Sequence, residues 1–349
     1  MTHLTDAVRW LSLVATLLVA TAGAALAAFA GAPAAWLSGA MVAVTAASFS
    51  RLDTRLPVPL VEFSFLLIGI ALGAGLTPEL LRNLGAWPVS LAALALTVIA
   101  VTLGVRWFLF RISGWDRGTA FFSAVPGALS YVIAVAAATE ADIRKVAVSQ
   151  SIRIFLLVAV LPGTIVVLEG GAPAGVPSPV ATWRDLAVLV VASTAAGLAF
   201  RSLRVPAGLL TGSFAASAFL QGAGLVEGTL PQPAVIAGFV LLGALIGSRF
   251  VGTSLAFLAG IILPSVGAFL VATAIASAAA IGVAWAIAVP IDQAIVAFAP
   301  GGIDAMMSLA LALHMDTAFV AAHQFARFAG IAFGLPFFLR WARGRGQDG

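Results

Sequence analysis

Two arginines stand where charge is expensive. Arg153 lies in DIRKVAVSQSIRIFLLVAVLP (142–162) and Arg327 in DTAFVAAHQFARFAGIAFGLP (316–336), both apolar segments of membrane-spanning length. An arginine at the bilayer centre costs roughly 2.5–3.5 kcal/mol on insertion scales, and it usually faces a bundle interior or a watery cavity. Gln150 precedes Arg153 by three residues, and Gln324 precedes Arg327 by three; Ser149 and His323 stand four residues before each arginine. On a helix these spacings put Ser149, Gln150 and Arg153 on one face, and His323, Gln324 and Arg327 on another. Two chemistries fit such stripes. The guanidiniums can cap carbonyls exposed by a broken helix or pair with Asp142 or Asp304, or they can present forks to the oxygens of a carboxylate or phosphate-like solute. Both roles can hold together.

Upstream of each stripe stands a helix breaker, Pro126-Gly127 in the first case and Pro300-Gly301-Gly302 in the second. Proline lacks an N–H and suits the first turn of a helix. The runs PGALSYVIAVAAA and PGGIDAMMSLALAL therefore read as a break followed by a new helix. Such a start at membrane depth offers free N–H groups and the positive end of a dipole. Two of them converging near the midplane are the usual construction of a secondary-transporter site. Asp304 falls in the first turn after the second break, and Ser130 is its counterpart after the first. Asp304 can serve the helix start alone, or can bind Na⁺ or a proton as a coupling site together with Ser130.

All of these residues obey one offset. Asp142, Val146, Gln150, Arg153, Leu161 and Pro162 match Asp316, Val320, Gln324, Arg327, Leu335 and Pro336 at 174 residues, as Pro126-Gly127 matches Pro300-Gly301. Pro33-Ala34 and Leu37 correspond to Pro206-Ala207 and Leu210 at 173, and Phe65, Gly69 and Gly73 to Phe239, Gly243 and Gly247 at 174. The chain is thus a duplication, with a first membrane repeat over 1–175, a second over 176–349, and a Gly/Pro-rich seam at 169–179.

With 62% hydrophobic and 9% charged residues among 349, and a mean hydropathy of +1.11, the chain reads as an all-α polytopic membrane protein. The absence of cysteine excludes disulfides and thiolate metal sites. Three scattered histidines make no metal site, and no nucleotide or nucleophile motif is present, so neither an enzyme nor a cofactor is expected. The high pI of 10.9 reflects arginines at helix ends, not nucleic-acid binding. The N-terminal apolar stretch reads as a first spanning helix that is retained.

Each repeat has six apolar segments, roughly 8–30, 34–50, 58–77, 86–110, 118–139 and 146–168, then 184–202, 206–224, 231–250, 254–288, 290–313 and 317–340. If each Pro-Gly segment enters and leaves on one side, each repeat crosses five times and the copies are inverted. With both termini inside, fourteen of the eighteen basic residues then become cytoplasmic, Arg249 among them; Arg82 and Arg184 stay outside, and Arg153 and Arg327 are intramembrane. Twelve crossings would spread the cations more evenly, so the positive-inside rule favours two inverted repeats, each with about five transmembrane helices and a re-entrant Pro-Gly segment, in a bacterial-type cytoplasmic (inner) membrane.

The pattern PGALSYV…DIRKVAVSQSIRI with PGGIDAMMSLALAL…DTAFVAAHQFARF resembles the AbrB membrane-protein family, over essentially the whole chain. Members of that family carry the label of membrane regulators of gene expression, and some that of ammonia monooxygenase. The resemblance extends distantly to the cation:proton antiporter and anion transporter superfamily, which implies inverted repeats, broken helices and secondary transport. The expectation is a transporter-like protein for a small organic anion, bound by Ser149, Gln150, Arg153, His323, Gln324 and Arg327 with the two helix starts. Its partners would be that solute, Na⁺ or H⁺, the bilayer and, as an option, a second copy in a homodimer. The alternative is a membrane-embedded ligand sensor that regulates gene expression.

Overall fold

The computed structural model describes residues 2–50, 52–74, 87–127, 129–137, 139–169, 179–203, 205 and 207–344. Arg82, most of the seam at 169–179 and Pro206 lie outside these. Among the described residues there are fourteen α-helices and no strand: α1 (Thr2–Phe29), α2 (Ala35–Ser48), α3 (Val58–Gly73), α4 (Trp87–Trp107), α5 (Arg117–Ala124), α6 (Leu129–Ala136), α7 (Ile143–Glu169), α8 (Trp183–Ser202), α9 (Gly208–Gly222), α10 (Gln232–Gly247), α11 (Leu255–Ile287), α12 (Ile291–Phe298), α13 (Ile303–Ala312) and α14 (Thr317–Gly344). A π-helical turn, Phe108–Ile112, extends α4, and a 3-10 turn, Ser248–Phe250, follows α10.

Six helical stretches are long and apolar enough to cross a membrane, within α1, α4, α7, α8, α10 and α11 with their extensions. Among the described residues, the sequence segments at 34–50 and 58–77 hold helices of only 14 and 16 residues, with 75–77 outside the described residues. A helix rises 1.5 Å per residue, so these fall short of a hydrocarbon core of about 30 Å.

Local sequence explains the helix starts. Asp116 accepts from the Thr119 amide at 2.8 Å to open α5, and Asp142 from the Lys145 amide at 3.0 Å to open α7. Asp316 accepts from the Ala318 and Phe319 amides at 2.9 and 3.0 Å to open α14. Pro57 and Pro231 precede α3 and α10, each with a further proline in the first turn. The duplication extends to backbone dihedrals. Ala34 before α2 has φ +50°, and its counterpart Ala207 before α9 has φ +48°, a left-handed conformation that costs an alanine roughly 1–2 kcal/mol.

The two sequence halves interleave in space. Helices α1–α3 pack with α8–α10, and α4–α7 pack with α11–α14. In the first group the exchange is reciprocal. Gly69 of α3 lies against the Leu210 carbonyl and Ser213 of α9, while Gly243 of α10 lies against Leu37 and Ala40 of α2. Gly73 meets Ser217, and Gly247 meets Val44 and Thr45. Small residues let these helices approach closely. Each third helix thus seats on the second helix of the other copy.

In the second group, a Pro-Gly break separates α5 from α6 and α12 from α13. The Asp142 amide donates to the Thr119 hydroxyl at 2.8 Å, which ties the start of α5 to the turn that follows α6. Gln293 donates to Asp316 at 3.5 Å, which ties the start of α12 to the turn after α13. Helix α4 begins beside the second mouth, with Trp87 edge-on to Phe319 at 6.0 Å between ring centroids, and its far end leads into α5. The two mouths therefore lie toward opposite ends of α4.

Overpacking tests the reciprocal contact. A Cβ on Gly69 would meet the Leu210 carbonyl oxygen at 2.7 Å, and one on Gly247 the Met41 carbonyl oxygen at 2.7 Å. Gly69→Val and Gly247→Val should each lose about 1–3 kcal/mol, read as a lower unfolding midpoint in detergent. Gly282→Val, where a Cβ meets nothing within 4 Å, should change little; equal losses at all three positions would refute the packing argument.

Candidate functional site

Each break is built from one missing N–H. In a continuous helix the Phe122 carbonyl would accept from the amide of residue 126, and that of Val296 from residue 300; both are proline. Val125 and Ala299 leave α5 and α12 in extended conformation, so further carbonyls lose their helical donors. The Gln and Arg of the adjacent long helix supply the replacements.

Gln150 of α7 donates to the Phe122 carbonyl at 2.8 Å. Arg153 reaches the Ser123 and Val125 carbonyls at 3.4 and 3.5 Å and the Gln150 side-chain oxygen at 3.4 Å. The second copy repeats the device. Gln324 of α14 donates to the Val296 and Ala297 carbonyls at 3.1 and 3.2 Å. Arg327 donates to the Ala299 and Gly301 carbonyls and to the Gln324 side-chain oxygen. Both glutamines are fully buried and both arginines are 5% exposed. The carbonyl-capping role, open in the sequence, is thus occupied in both copies.

The breaks also meet across the copies. A Cβ on Gly127 would lie 3.2 Å from Ile331, one turn beyond Arg327, and one on Gly302 would lie 3.7 Å from Ile154, next to Arg153. Among the described residues neither Arg153 nor Arg327 has an acidic side chain within ion-pair distance; the carboxylate pairs are Arg55–Asp53, Lys145–Asp142, Arg201–Glu62 and Arg249–Asp304. The site therefore holds two buried cations whose partners are neutral carbonyls and amides. Beside Arg327 lies a cavity of about 380 Å³, walled by apolar residues that include Leu94, Val98, Phe121 and Val125.

Asp304 sits in the first turn of α13, where its Oδ2 accepts from Arg249 Nη2 at 3.2 Å. Both side chains are largely buried, at 15% and 18% exposure. Arg249 thus folds inward, although the charge count treats it as a solvated cytoplasmic cation. It is the site residue that sequence reasoning missed. The repeat held its signal: at the offset of 174 that aligns Asp304 with Ser130, Arg249 aligns with Gly75, so both members of the pair belong to the second copy alone. Ser130 stands in α6, but its side chain lies outside the described residues.

His323 is fully buried and engaged on both ring nitrogens, Nδ1 with the Phe319 carbonyl at 2.8 Å and Nε2 with the Ser90 hydroxyl at 2.9 Å. A carbonyl only accepts, so Nδ1 carries a proton; the Ser90 hydroxyl at Nε2 also lies 2.9 Å from the Trp87 carbonyl, to which it donates. These bonds tie α14 to α4. Ser149 is buried on the face of α7 that carries Gln150. Glu62 pairs with Arg201 at 2.8 Å, joining α3 to α8. A second cavity, about 960 Å³, lies beside the turn after α13, lined in part by Trp36, Leu37, Phe239, Gln232, His314 and Asp316. Burial pushes the Asp316 carboxyl above its ordinary value, while the amides of Phe319 and Ala318 and the Gln293 side chain hold part of that rise back. Among the described residues no group of three His, Cys, Asp or Glu side chains could hold a metal ion.

If the glutamines replace missing helix bonds, Gln150→Leu and Gln324→Leu should each cost about 1–3 kcal/mol, the price of a buried unpaired carbonyl. Thermal unfolding in detergent checks this. Gln221→Leu is the reference, because its amide bonds only the Ser217 hydroxyl of its own helix; a larger loss there would contradict the assignment.

A family model described as "Transition state regulatory protein AbrB" matches residues 36–343. The chain is 27% identical over 309 residues to the Escherichia coli (strain K12) protein named "Putative regulator AbrB", covering 86% of this chain and 87% of that one. It is 29% identical over 299 residues to "Uncharacterized protein YhjN" of Bacillus subtilis (strain 168), covering 79% and 76%.

Proposed function

This chain belongs to the AbrB family, and from that premise we propose that it is a secondary transporter of a small organic anion, bound between the two broken helix pairs. The observation that carries the reading is the pair of buried guanidiniums without a carboxylate partner. Removing a charge from water costs several kcal/mol unless an opposite charge answers it. Carbonyls answer part of that cost, and a mobile anion at the junction of the breaks would answer the rest. The start of α13 adds amide donors and the positive end of a dipole at the same place.

The transport reading takes α5–α6 and α12–α13 as re-entrant and the repeats as inverted in the membrane, with ten crossings and cytoplasmic termini. It is supported by the hairpin ties at Thr119–Asp142 and Gln293–Asp316, by the mouths toward opposite ends of α4, and by the reciprocal glycine contacts. A protein of this kind carries solute and performs no covalent step. In this reading Gln150 and Gln324 hold the breaks, while Arg153 and Arg327 both hold them and present spare N–H groups to the solute. Each guanidinium has five N–H donors; Arg153 Nε is buried with no partner.

The printed name of the Escherichia coli relative points to regulation. A sensor would bind the same anion without moving it, so flux separates the two readings. Purified protein in proteoliposomes should take up one or more of a panel of short carboxylates and phosphonates, saturably. Arg327→Lys should lower uptake by tenfold or more, on the order expected when a bidentate guanidinium becomes a point charge, with the fold checked by thermal unfolding. Full uptake by Arg327→Ala would end the assignment. Anion binding without net flux would favour the sensor.

A further inference from the structure

The Arg249–Asp304 pair has a feature that an ordinary structural ion pair lacks. Arg249 spends only Nη2 on the carboxylate; its Nη1 is buried with no hydrogen-bond partner. An unpaired buried donor on a charged group is costly to leave unmade. The Ser308 hydroxyl, one helical turn beyond Asp304 on α13, is likewise buried without a partner. The pair stands beside the second break: Asp304 is two residues after Gly302 and three after Gly301, whose carbonyl accepts from Arg327. Gly302 in turn abuts Ile154, next to Arg153. Two guanidiniums, those of Arg327 and Arg249, therefore meet one short stretch of backbone, and a carboxylate of the protein occupies the second. Arg249 belongs to the turn after α10, in the bundle of α1–α3 and α8–α10, whereas Asp304 belongs to the bundle with α14. The pair links the two bodies.

We propose that Arg249 is a third anion-recognition group of this site and that Asp304 is its resident counter-anion, displaced when a solute carboxylate or phosphonate arrives. The inference rests on the anion reading given above. The duplication supports it, because the first copy lacks both members, with Gly75 and Ser130 at the equivalent positions; a lone Arg or a lone Asp would leave an unanswered buried charge. The geometry also disfavours Na⁺ at Asp304, since a guanidinium nitrogen already lies 3.2 Å from that carboxylate and would repel a second cation.

Opposite effects of the two partners test the proposal. Binding of succinate, acetate and methylphosphonate to full-length protein in detergent is measured by titration calorimetry, with and without Na⁺. Asp304→Asn frees Arg249 and should tighten anion binding, on the order of fivefold or more. Asp304→Ser, the residue of the first copy, should do the same, and keeps the test open if the Asn variant folds poorly. Arg249→Gln should weaken binding by a similar factor, and Arg249→Gln with Asp304→Asn should match Arg249→Gln alone. Weaker binding in both Asp304 variants, or Na⁺-dependent binding that they abolish, would overturn the proposal and make Asp304 an ion ligand. Unchanged affinity in the Asp304 variants, with binding still lost in Arg327→Lys, would sink the displacement idea and leave the anion site standing. Binding of no probe by any variant, including those that free Arg249, would remove both.

Discussion

A carbonyl that has lost its N–H donor inside an apolar bundle must find another, and the rest of this structure is arranged around that need. Prolines at 126 and 300 each delete the donor that a helix would have supplied. The cost is met by Gln150 and Gln324, and by Arg153 and Arg327 at the carbonyls that follow. Proline, glutamine and arginine are thus parts of one device, separated by some two dozen residues of chain and reunited by packing. The device needs a long helix beside each break, which explains why α7 and α14 are long while α5, α6, α12 and α13 are short.

That solution leaves a charge imbalance. Carbonyl dipoles satisfy hydrogen-bond geometry, yet they do not cancel a full positive charge. In the anion reading proposed above, this field would favour an anion before any detail of shape matters. Apolar walls beside Arg327 then restrict water and strengthen the field. Asp304 answers only Arg249, so the asymmetry between the copies is an asymmetry of charge pairs and not of one acidic residue.

The fold supplies two bodies that could shift against each other. Reciprocal glycine contacts bind α2, α3, α9 and α10 closely, and the broken pairs with α4, α7, α11 and α14 form the other body. Dense small-residue packing favours a rigid frame. The Arg249–Asp304 pair crosses between the bodies beside the second break.

Much of this was legible in the residues. Hydrophobicity determined a helical membrane protein, because only helices and closed barrels satisfy the backbone without water and the apolar segments show no alternating barrel pattern. The ordered matches at 174 determined the duplication, and prolines 126 and 300 determined where helices stop, since a missing N–H is a local fact. The spacing of Gln150 to Arg153 and of Gln324 to Arg327 determined that each pair shares a face. The sequence left open what those faces meet, and only the tertiary structure decided that the glutamines and arginines serve the broken backbone first. It also decided that third helices exchange between copies, that His323 binds Ser90 and Phe319, and that Arg249 turns inward to Asp304. The reason is physical. Helix starts and stops depend on neighbours a few residues away, whereas the partner of a buried polar group is whichever acceptor the packing brings within about 3 Å, and that choice is made among segments far apart in the chain.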